Sequence, residues 1–231
     1  QMSRSQQGLA GAGEWETLRK LLPDFKDKRV LDLGCGYGWH CIYAMEHGAS
    51  SVVGVDISHK MLEVAKEKTH FPQVEYKCCA IEDVEFPEES FDVILSSLAF
   101  HYVADYEILV KKIYRILKSG GKLVFTVEHP VFTAYGTQDW YYNEKGEILH
   151  FPVDNYYYEG KRTAVFLGEK VTKFHRTLTT YLNTLLSNGF IINHIVEPQP
   201  PENMMDIPGM QDEMRRPMML IVSANKNCYT T

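Results

Sequence analysis

The sequence predicts an α/β fold in which a mostly parallel sheet is covered by helices on both faces. Between residues 29 and 127, short β-branched runs alternate with longer segments of helical period. Several of these runs are apolar at consecutive positions, which is typical of strands buried on both faces. Strands that alternate with helices pair in parallel through right-handed crossovers. Together these observations predict a doubly wound sheet.

The composition indicates one large globular domain. The chain has 231 residues, of which 45% are apolar, and this is enough to bury a sizeable core. Its formal charge is −6 without a basic block, and no apolar run approaches the roughly 18 residues of a membrane span, so we expect neither nucleic-acid nor membrane binding. The five cysteines form no C-x-x-C pair, which predicts reduced thiols, a cytoplasmic location and no metal site.

Each element of the core is predicted from its own local pattern. Five β-branched runs predict strands at residues 29–33, 51–55, 74–78, 91–95 and 122–126. Helices are predicted at residues 39–47, from an N-cap at Ser58 onward, and at residues 108–117, before a stop at Gly120 and Gly121.

Three further segments complete the predicted single domain of residues 1–231. Residues 1–28 carry three glycines and a short amphipathic helix at 15–22, and we interpret them as a lid. Residues 29–128 form the ligand-binding core, and residues 129–173 form an aromatic-rich insert after the fifth strand. Residues 174–231 predict a helix from His175 to Ser187 and strands at 190–196 and 218–223.

A glycine-rich loop, DLGCGYG at residues 32–38, follows the first strand and precedes a helix. Glycines at alternate positions let the main chain turn sharply and approach a ligand closely. A dinucleotide-binding loop needs a third glycine where this chain has Trp39, so the spacing disfavours NAD. The carboxylate of Asp32 would repel phosphate and attract an ammonium or sulfonium group. The loop therefore predicts a cationic ligand.

Asp56 ends the second strand, at the position where α/β nucleotide sites keep an acid for the ribose hydroxyls. A carboxylate suits that task because both of its oxygens accept hydrogen bonds. Asp56 could equally belong to the cap of the following helix. Taken with the glycine loop, the ribose interpretation leads.

Four motifs in this order resemble those of the class I S-adenosylmethionine-dependent methyltransferases, particularly the ubiquinone/menaquinone-type group of small-molecule enzymes. The resemblance covers residues 30 to about 127. It is carried by VLDLGCGYG at residues 30–38, VGVDIS at 53–58, CAIED at 79–83 before FDVI at 91–94, and LKSGGKL at 117–123. It implies a Rossmann-like, seven-stranded, mostly parallel sheet with one reversed strand, part of which is the last strand of the chain.

The resemblance also implies which residues hold S-adenosylmethionine, and the product would be S-adenosylhomocysteine. Gly34 and Gly36 would lie against the methionine part, beside Asp32, and Asp56 would hold the ribose. The remaining cofactor candidates lie around the adenine or at the end of the fourth strand: Ile57, Met61, Ala80, Ile81, Glu82 and Leu98. Without the resemblance, Ile57 and Met61 would be interpreted as core residues and Glu82 as part of an exposed acidic run.

Methyl transfer from a sulfonium is an in-line displacement, so alignment can suffice without an acid or a base. If the acceptor needs deprotonation, histidine is the suitable base. His101 and His129 follow the fourth and fifth predicted strands and are the catalytic candidates, although either could simply bond a loop carbonyl. Glu128 and His129 are adjacent on an extended segment and should face opposite sides, so we predict no metal.

The aromatic insert is the expected roof of the acceptor pocket, because flat side chains suit a planar or amphipathic acceptor. The same segment could be a small β-hairpin with its own aromatic core. We therefore predict methyl transfer to a small-molecule acceptor by a monomer or homodimer. An NAD-dependent oxidoreductase and a non-enzymatic S-adenosylmethionine-binding protein are the alternatives, and fold alone does not separate them.

Overall fold

The computed structural model describes residues 8–166 and 168–228, and its centre is a seven-stranded sheet. The strands, in chain order, are β1 (Arg29–Leu33), β2 (Ser51–Asp56), β3 (Val74–Cys78), β4 (Phe91–Ser97), β5 (Leu117–Glu128), β6 (Tyr141–Tyr142), β7 (Ile148–His150), β8 (Gly160–Phe166), β9 (Glu169–His175), β10 (Phe190–Val196) and β11 (Met219–Lys226). The sheet order is β10-β11-β5-β4-β1-β2-β3, and β11 is antiparallel to both of its neighbours. This confirms the predicted mostly parallel sheet with one reversed strand.

Helices cover both faces of this sheet. They are α1 (Trp15–Arg19), α2 (Trp39–Glu46), α3 (His59–Lys68), α4 (Tyr106–Ile116), α5 (Pro130–Thr133) and α6 (Leu178–Ser187). Neighbouring residues of β1 belong to different core clusters, because successive side chains of a strand point to opposite faces. Leu31 packs with α4 and α6, whereas Val30 packs with α1, α2 and α3. The fold is therefore doubly wound, as predicted.

Several bounds differ from the sequence-based expectation by one to three residues: α1 ends at Arg19, α2 ends at Glu46, α4 is Tyr106–Ile116, β2 ends at Asp56, β4 ends at Ser97 and β11 is Met219–Lys226. Two further differences follow from strand pairing. The helix expected from His175 begins at Leu178, because the residues before it pair with β8 and Thr177 caps the helix through Thr180 N–H. β5 begins at Leu117, because the chain already pairs with β4 there. The ladder shifts register between Phe91 and Val93, and Gly120 has φ +72°, so the glycines lie in an irregular part of β5 and do not stop the helix.

The insert contains the short helix α5 and two β-hairpins that lie outside the central sheet. β6 pairs with β7, and β8 pairs with β9, in both cases antiparallel. Phe151 stacks on Phe132 with ring centroids 5.6 Å apart and contacts Trp140 edge-on at 5.3 Å. The insert therefore has an aromatic cluster of its own, as expected for the alternative of a hairpin with an aromatic core.

The N-terminal segment lies against α2. Trp15 of α1 packs edge-on against Tyr43 with ring centroids 4.8 Å apart. Leu18 and Leu22 line a small cavity together with Ser96 and Ser97 at the end of β4. The described part of the predicted lid thus contacts the end of a central strand; residues 1–7 of that prediction lie outside the described residues.

Within residues 8–166 and 168–228, every helix is too short or too polar to cross a bilayer.

Candidate active site

The three glycines of the loop have positive φ angles for different reasons. A Cβ on Gly34 would lie 2.4 Å from Ala99 Cβ, and one on Gly38 would lie 2.2 Å from the Tyr76 hydroxyl. These two glycines are required by protein contacts. A Cβ on Gly36, where φ is +53°, would meet only Met61 Sδ at 3.9 Å. The space beside Gly36 is therefore where a ligand could approach the main chain closely.

Asp56 is fixed between two main-chain donors. The Gly36 N–H donates to its Oδ2 at 2.8 Å, and the Ser58 N–H donates to its Oδ1 at 2.8 Å. The helix cap is Ser58, whose hydroxyl accepts from Met61 N–H, as predicted. Asp56 therefore does not act as the N-cap, and each of its oxygens keeps acceptor capacity for a hydroxyl group.

Asp32 is fully buried at the end of β1. The Cys41 thiol donates a hydrogen bond to Asp32 Oδ2 at 3.5 Å. The other oxygen, Oδ1, is buried without a hydrogen-bond partner among the described residues. Burial raises the pKa of Asp32 to about 7, and the nearby Asp56 charge adds to the increase. A ligand ammonium group would supply the missing partner and favour the ionised carboxylate. The arrangement thus fits the cationic ligand that the loop predicts.

Ile57 and Met61 occupy different environments. Ile57 is 74% exposed, so it is not the core residue that its apolar character alone would indicate. Met61 is half-buried, next to the open space beside Gly36. An exposed apolar side chain directly after Asp56 can cover the flat face of a base.

Residues 80–82 follow β3, which pairs with β2 so that Cys78 lies opposite Asp56. Ile81 is buried in the hydrophobic core, so its side chain does not face a ligand and only its main chain could. Glu82 is exposed, and its carbonyl oxygen accepts a hydrogen bond from Lys112. Ala80 is half-buried.

Leu98, at the end of β4, has a left-handed backbone with φ +54°. Its N–H donates to Thr126 through both the carbonyl oxygen, at 2.9 Å, and the hydroxyl, at 3.0 Å. Residues other than glycine adopt this conformation at some cost, and such positions cluster at functional sites. The corner at Leu98 and Ala99 lies against Gly34, so it borders the glycine loop.

His101 is buried in a short 3₁₀ turn after β4. The Glu128 N–H donates to its Nδ1 at 3.4 Å. Burial lowers the pKa of His101 to about 4, against the opposing effect of the Glu128 charge. The imidazole is therefore neutral at neutral pH and carries its proton on Nε2.

His129 is also bonded through its Nδ1. It caps α5 by accepting the Val131 N–H at 3.1 Å, and its Nε2 lies 2.9 Å from Glu197 Oε1. Burial lowers the pKa of His129. Both candidate histidines thus use the lone pair that a general base needs, which favours positioning roles in this conformation.

A buried ion pair joins the end of β5 to the insert. Lys173 of β9 donates to Glu128 Oε1 at 2.5 Å and to Gln138 Oε1 at 2.8 Å. Gln138 Nε2 donates to the second Glu128 oxygen at 2.6 Å. We did not expect this network from the sequence, because its members are 10 to 45 residues apart and no local pattern connects them.

Arg176 holds the segment around His101 in place. Its guanidinium is buried and donates to the carbonyl oxygens of Phe100, Val103 and Ala104. No local pattern predicts this role, because the bonded residues are more than 70 positions away. Arg176 and Lys173 together fix both the insert and the strand ends.

A cavity of about 330 Å³ lies between the insert and the residues before β11, and we call it the insert cavity. It is lined by Val131, His150, Phe151, Val153, Arg215, Arg216 and Pro217. Its volume is at the lower end of the range for small-molecule sites.

Across residues 8–166 and 168–228, no group of three or more His, Cys, Asp or Glu side chains is placed to hold a metal ion.

Comparison with known proteins identifies the family. Residues 31–125 match the model described as a methyltransferase domain. The chain is 58% identical to a Listeria monocytogenes protein crystallised as a candidate S-adenosylmethionine-dependent methyltransferase, with a TM-score of 0.92, covering 95% of this chain and 99% of that one. It is 40% identical to such a methyltransferase from Mesorhizobium loti, with a TM-score of 0.88 and coverage of 95% and 100%. This chain belongs to the S-adenosylmethionine-dependent methyltransferases.

As a methyltransferase of this family, the chain uses S-adenosylmethionine, and the oxidoreductase alternative is not favoured. A ubiquinone biosynthesis O-methyltransferase from Coxiella burnetii is 36% identical over 112 residues. That match covers 48% of this methyltransferase and 47% of the relative, so the chain spans about half of the relative's length.

Proposed function

We propose that this methyltransferase acts on a small-molecule acceptor, which lies at the carboxyl edge of the sheet between β4, β5 and the insert. The observation that carries methyl-donor binding at this edge is the Asp56 carboxylate, held by the N–H groups of Gly36 and Ser58 beside the open space at Gly36. Ligands of open α/β sheets bind beyond the carboxyl ends of the strands. The insert cavity at the same edge and the similarity to a ubiquinone biosynthesis O-methyltransferase support a small acceptor.

For the cofactor, we propose that Asp56 binds the ribose hydroxyls and that Ile57 covers the adenine. The unpartnered oxygen of Asp32 would accept from the ammonium group of the methionine part. The remaining contacts are proposed for Gly34, Gly36, Met61, Ala80, the main chain of Ile81, Glu82 and Leu98. When bound, S-adenosylmethionine supplies a methyl group that its sulfonium already activates.

The chain itself has to align the acceptor and exclude water. Good alignment is worth effective molarities of roughly 10⁵–10⁸ M, so the proposed reaction needs no catalytic dyad. We propose that His101 and His129 mainly position the ends of β4 and β5, since a backbone N–H occupies Nδ1 in each ring. A general-base role for either histidine stays a prediction.

Three structural assignments belong to the same proposal. Residues 8–28 would act as the described part of a lid, residues 29–128 would bind the cofactor, and residues 129–173 would contact the acceptor. The state in solution, monomer or homodimer, stays a prediction that light scattering checks.

Thermal melting with S-adenosylmethionine, S-adenosylhomocysteine and NADH tests the function. At about 100 times its dissociation constant, a ligand adds roughly 2.7 kcal/mol to the stability of the native state. For a chain of this size we expect the midpoint to rise by roughly 5–10 °C with either adenosyl compound and not with NADH. A shift with NADH alone would contradict the proposal. A screen of small acceptors with a labelled methyl donor then tests the acceptor class, and transfer only to protein or nucleic acid would refute it.

A further inference from the structure

We propose that the insert cavity binds the methyl acceptor and that the acceptor is a flat, largely apolar molecule carrying an anionic group. This inference rests on the proposed function, because it assigns the substrate class of the same site.

The insert cavity lies at the carboxyl edge of the sheet, the same edge that carries the glycine loop. Val131 follows the end of β5 by three residues, and Pro217 precedes β11, whose first residue pairs with Glu128. Neighbouring strands are about 4.8 Å apart, so the end of β5 is about 10 Å from the glycine loop after β1. An acceptor in the cavity could therefore extend across the end of β4 toward the loop.

The polar side chains that line the cavity are all basic. They are His150, Arg215 and Arg216, although the chain as a whole has a net charge of −6. The carboxylates that pair with the two arginines, Asp212 and Glu213, do not line the cavity. An anionic group is the ligand chemistry that such a lining favours.

The Arg216 side chain is paired with a carboxylate and packed against aromatic rings. Its guanidinium donates to both oxygens of Glu213, at 2.5 and 3.1 Å. It also lies over the rings of Phe132, Trp140 and Phe151, at 4.7 to 4.9 Å from their centroids. Its Nε is buried and has no hydrogen-bond partner among the described residues. A donor in this state can bond a ligand oxygen after a small shift, without giving up a bond of its own.

Arg215 supplies a second guanidinium with a different exposure. It donates to Asp212 at 3.0 Å and to the Leu149 carbonyl oxygen at 2.8 Å. Its side chain is 38% exposed, so it can bond an anion at the mouth of the cavity with little rearrangement.

The remaining walls are apolar. Val131, Phe151, Val153 and Pro217 line the cavity, and the Phe151 ring stacks on Phe132 with an interplanar angle of 14°. Flat aromatic and small aliphatic walls suit a planar body. Together with the basic side chains, they select a planar acid over a neutral or cationic molecule of the same size.

Binding of three size-matched probes tests this inference: 2-naphthoate, 2-naphthamide and 2-naphthylmethylamine. Titration calorimetry is run with and without saturating S-adenosylhomocysteine. We expect the acid to bind at least tenfold more tightly than the amide, and the amine to bind most weakly. Equal binding of acid and amide, or no acid binding in either condition, would overturn the inference.

Two variants locate the acid in the cavity. Arg215→Gln should weaken 2-naphthoate binding about tenfold and leave the amide unchanged. Arg115→Gln is the matched control, because Arg115 is 41% exposed, also pairs with a carboxylate, and lies near the start of β4 at the opposite edge. Val153→Trp should weaken all three probes by filling the cavity, and Val153 is exposed enough to accept a larger side chain. The inference fails if Arg215→Gln and Arg115→Gln have equal effects, or if Val153→Trp has none.

Titration of S-adenosylhomocysteine itself distinguishes a failure of the proposed acceptor class from a failure of the proposed cofactor site. Its binding without acid binding would refute the acceptor class alone. Acid binding without S-adenosylhomocysteine binding would refute the proposed cofactor site and leave an anion-binding cavity.

Discussion

The two halves of the site are built in different ways. At the cofactor edge, formed by the glycine loop and the ends of β1 and β2, main-chain N–H groups hold a single carboxylate, Asp56. At the insert edge, formed by the end of β5 and the insert, side chains hold one another, as Glu128, Gln138 and Lys173 do. Main-chain donors come from a short contiguous motif, whereas side-chain networks join distant segments. Cofactor binding is thus encoded locally, and the acceptor side depends on long-range packing.

Breaking the buried ion pair should give the largest effect. Lys173→Met leaves the Glu128 carboxylate buried without its cation, so we expect a loss of about 3–5 kcal/mol in the free energy of unfolding, measured by urea denaturation. Lys111→Met is the control, because its ion pair with Glu107 is exposed, and it should change stability little. The double variant Lys173→Met/Glu128→Gln should recover part of the loss. If Lys173→Met is as stable as the control, the insert edge does not depend on this pair.

At the cofactor edge, Asp56→Ala should have the next largest effect. Removing a carboxylate that accepts from ribose hydroxyls should weaken S-adenosylhomocysteine binding about 100-fold, as measured by calorimetry. Glu75→Gln, on the exposed side of neighbouring β3, should bind with unchanged affinity. Equal affinities for Asp56→Ala and the parent chain would refute the ribose assignment.

Asp32 makes the cofactor edge sensitive to pH. Because burial raises the pKa of Asp32 to about 7, the carboxylate ionises between pH 6 and 8, and a ligand ammonium prefers the ionised form. We expect affinity for S-adenosylhomocysteine to increase about tenfold over this range and Asp32→Asn to abolish most of the increase. The same pH slope in both proteins would contradict the contact.

The same shift has the opposite sign for the stability of the unliganded chain. The folded state retains the Asp32 proton above the ordinary pKa, so this group's contribution to stability falls as the pH rises from about 4 through 7. Asp32→Asn should therefore melt at a higher temperature than the parent chain at pH 8, although it binds ligand less well. A lower melting temperature at that pH would contradict this account.

Ile57 should show the smallest effect. Because Ile57 is mostly exposed, Ile57→Ser should leave the melting temperature of the unliganded chain unchanged. Loss of its cover over the adenine should weaken S-adenosylhomocysteine binding by about fivefold, as measured by calorimetry. The corresponding change at buried Leu62 of α3 should instead destabilise the fold. Unchanged affinity of the Ile57→Ser variant for S-adenosylhomocysteine would refute the proposed contact between Ile57 and the adenine.

Much of the fold could be predicted from local pattern. The strands at 29–33, 74–78 and 190–196 have the expected bounds, and Ser58 caps its helix as expected. Local patterns predicted the element bounds less well where distant strands pair. α6 begins later than predicted because β9 pairs with β8 up to His175. β5 begins earlier than predicted because Leu117 pairs with Phe91 of β4.

The candidate site was predictable to a similar degree. The positions of Gly36 and Asp56 follow from parallel pairing of β1 and β2, which brings both strand ends to one edge. Whether a side chain faces a ligand or the core was not predictable. Ile57 is exposed and Ile81 is buried, although both are isoleucines shortly after a strand.

By itself, the sequence determined the alternation of strands and helices along the chain, the glycine loop and the acid that ends β2, because these depend on backbone conformation and on residues close in the chain. Only the tertiary structure decided what each buried polar group meets: Lys173 with Glu128, Arg176 with the carbonyl oxygens after His101, and Arg216 with three aromatic rings. The physical reason is that a buried charge must find a partner at any sequence distance, and that partner is fixed by packing.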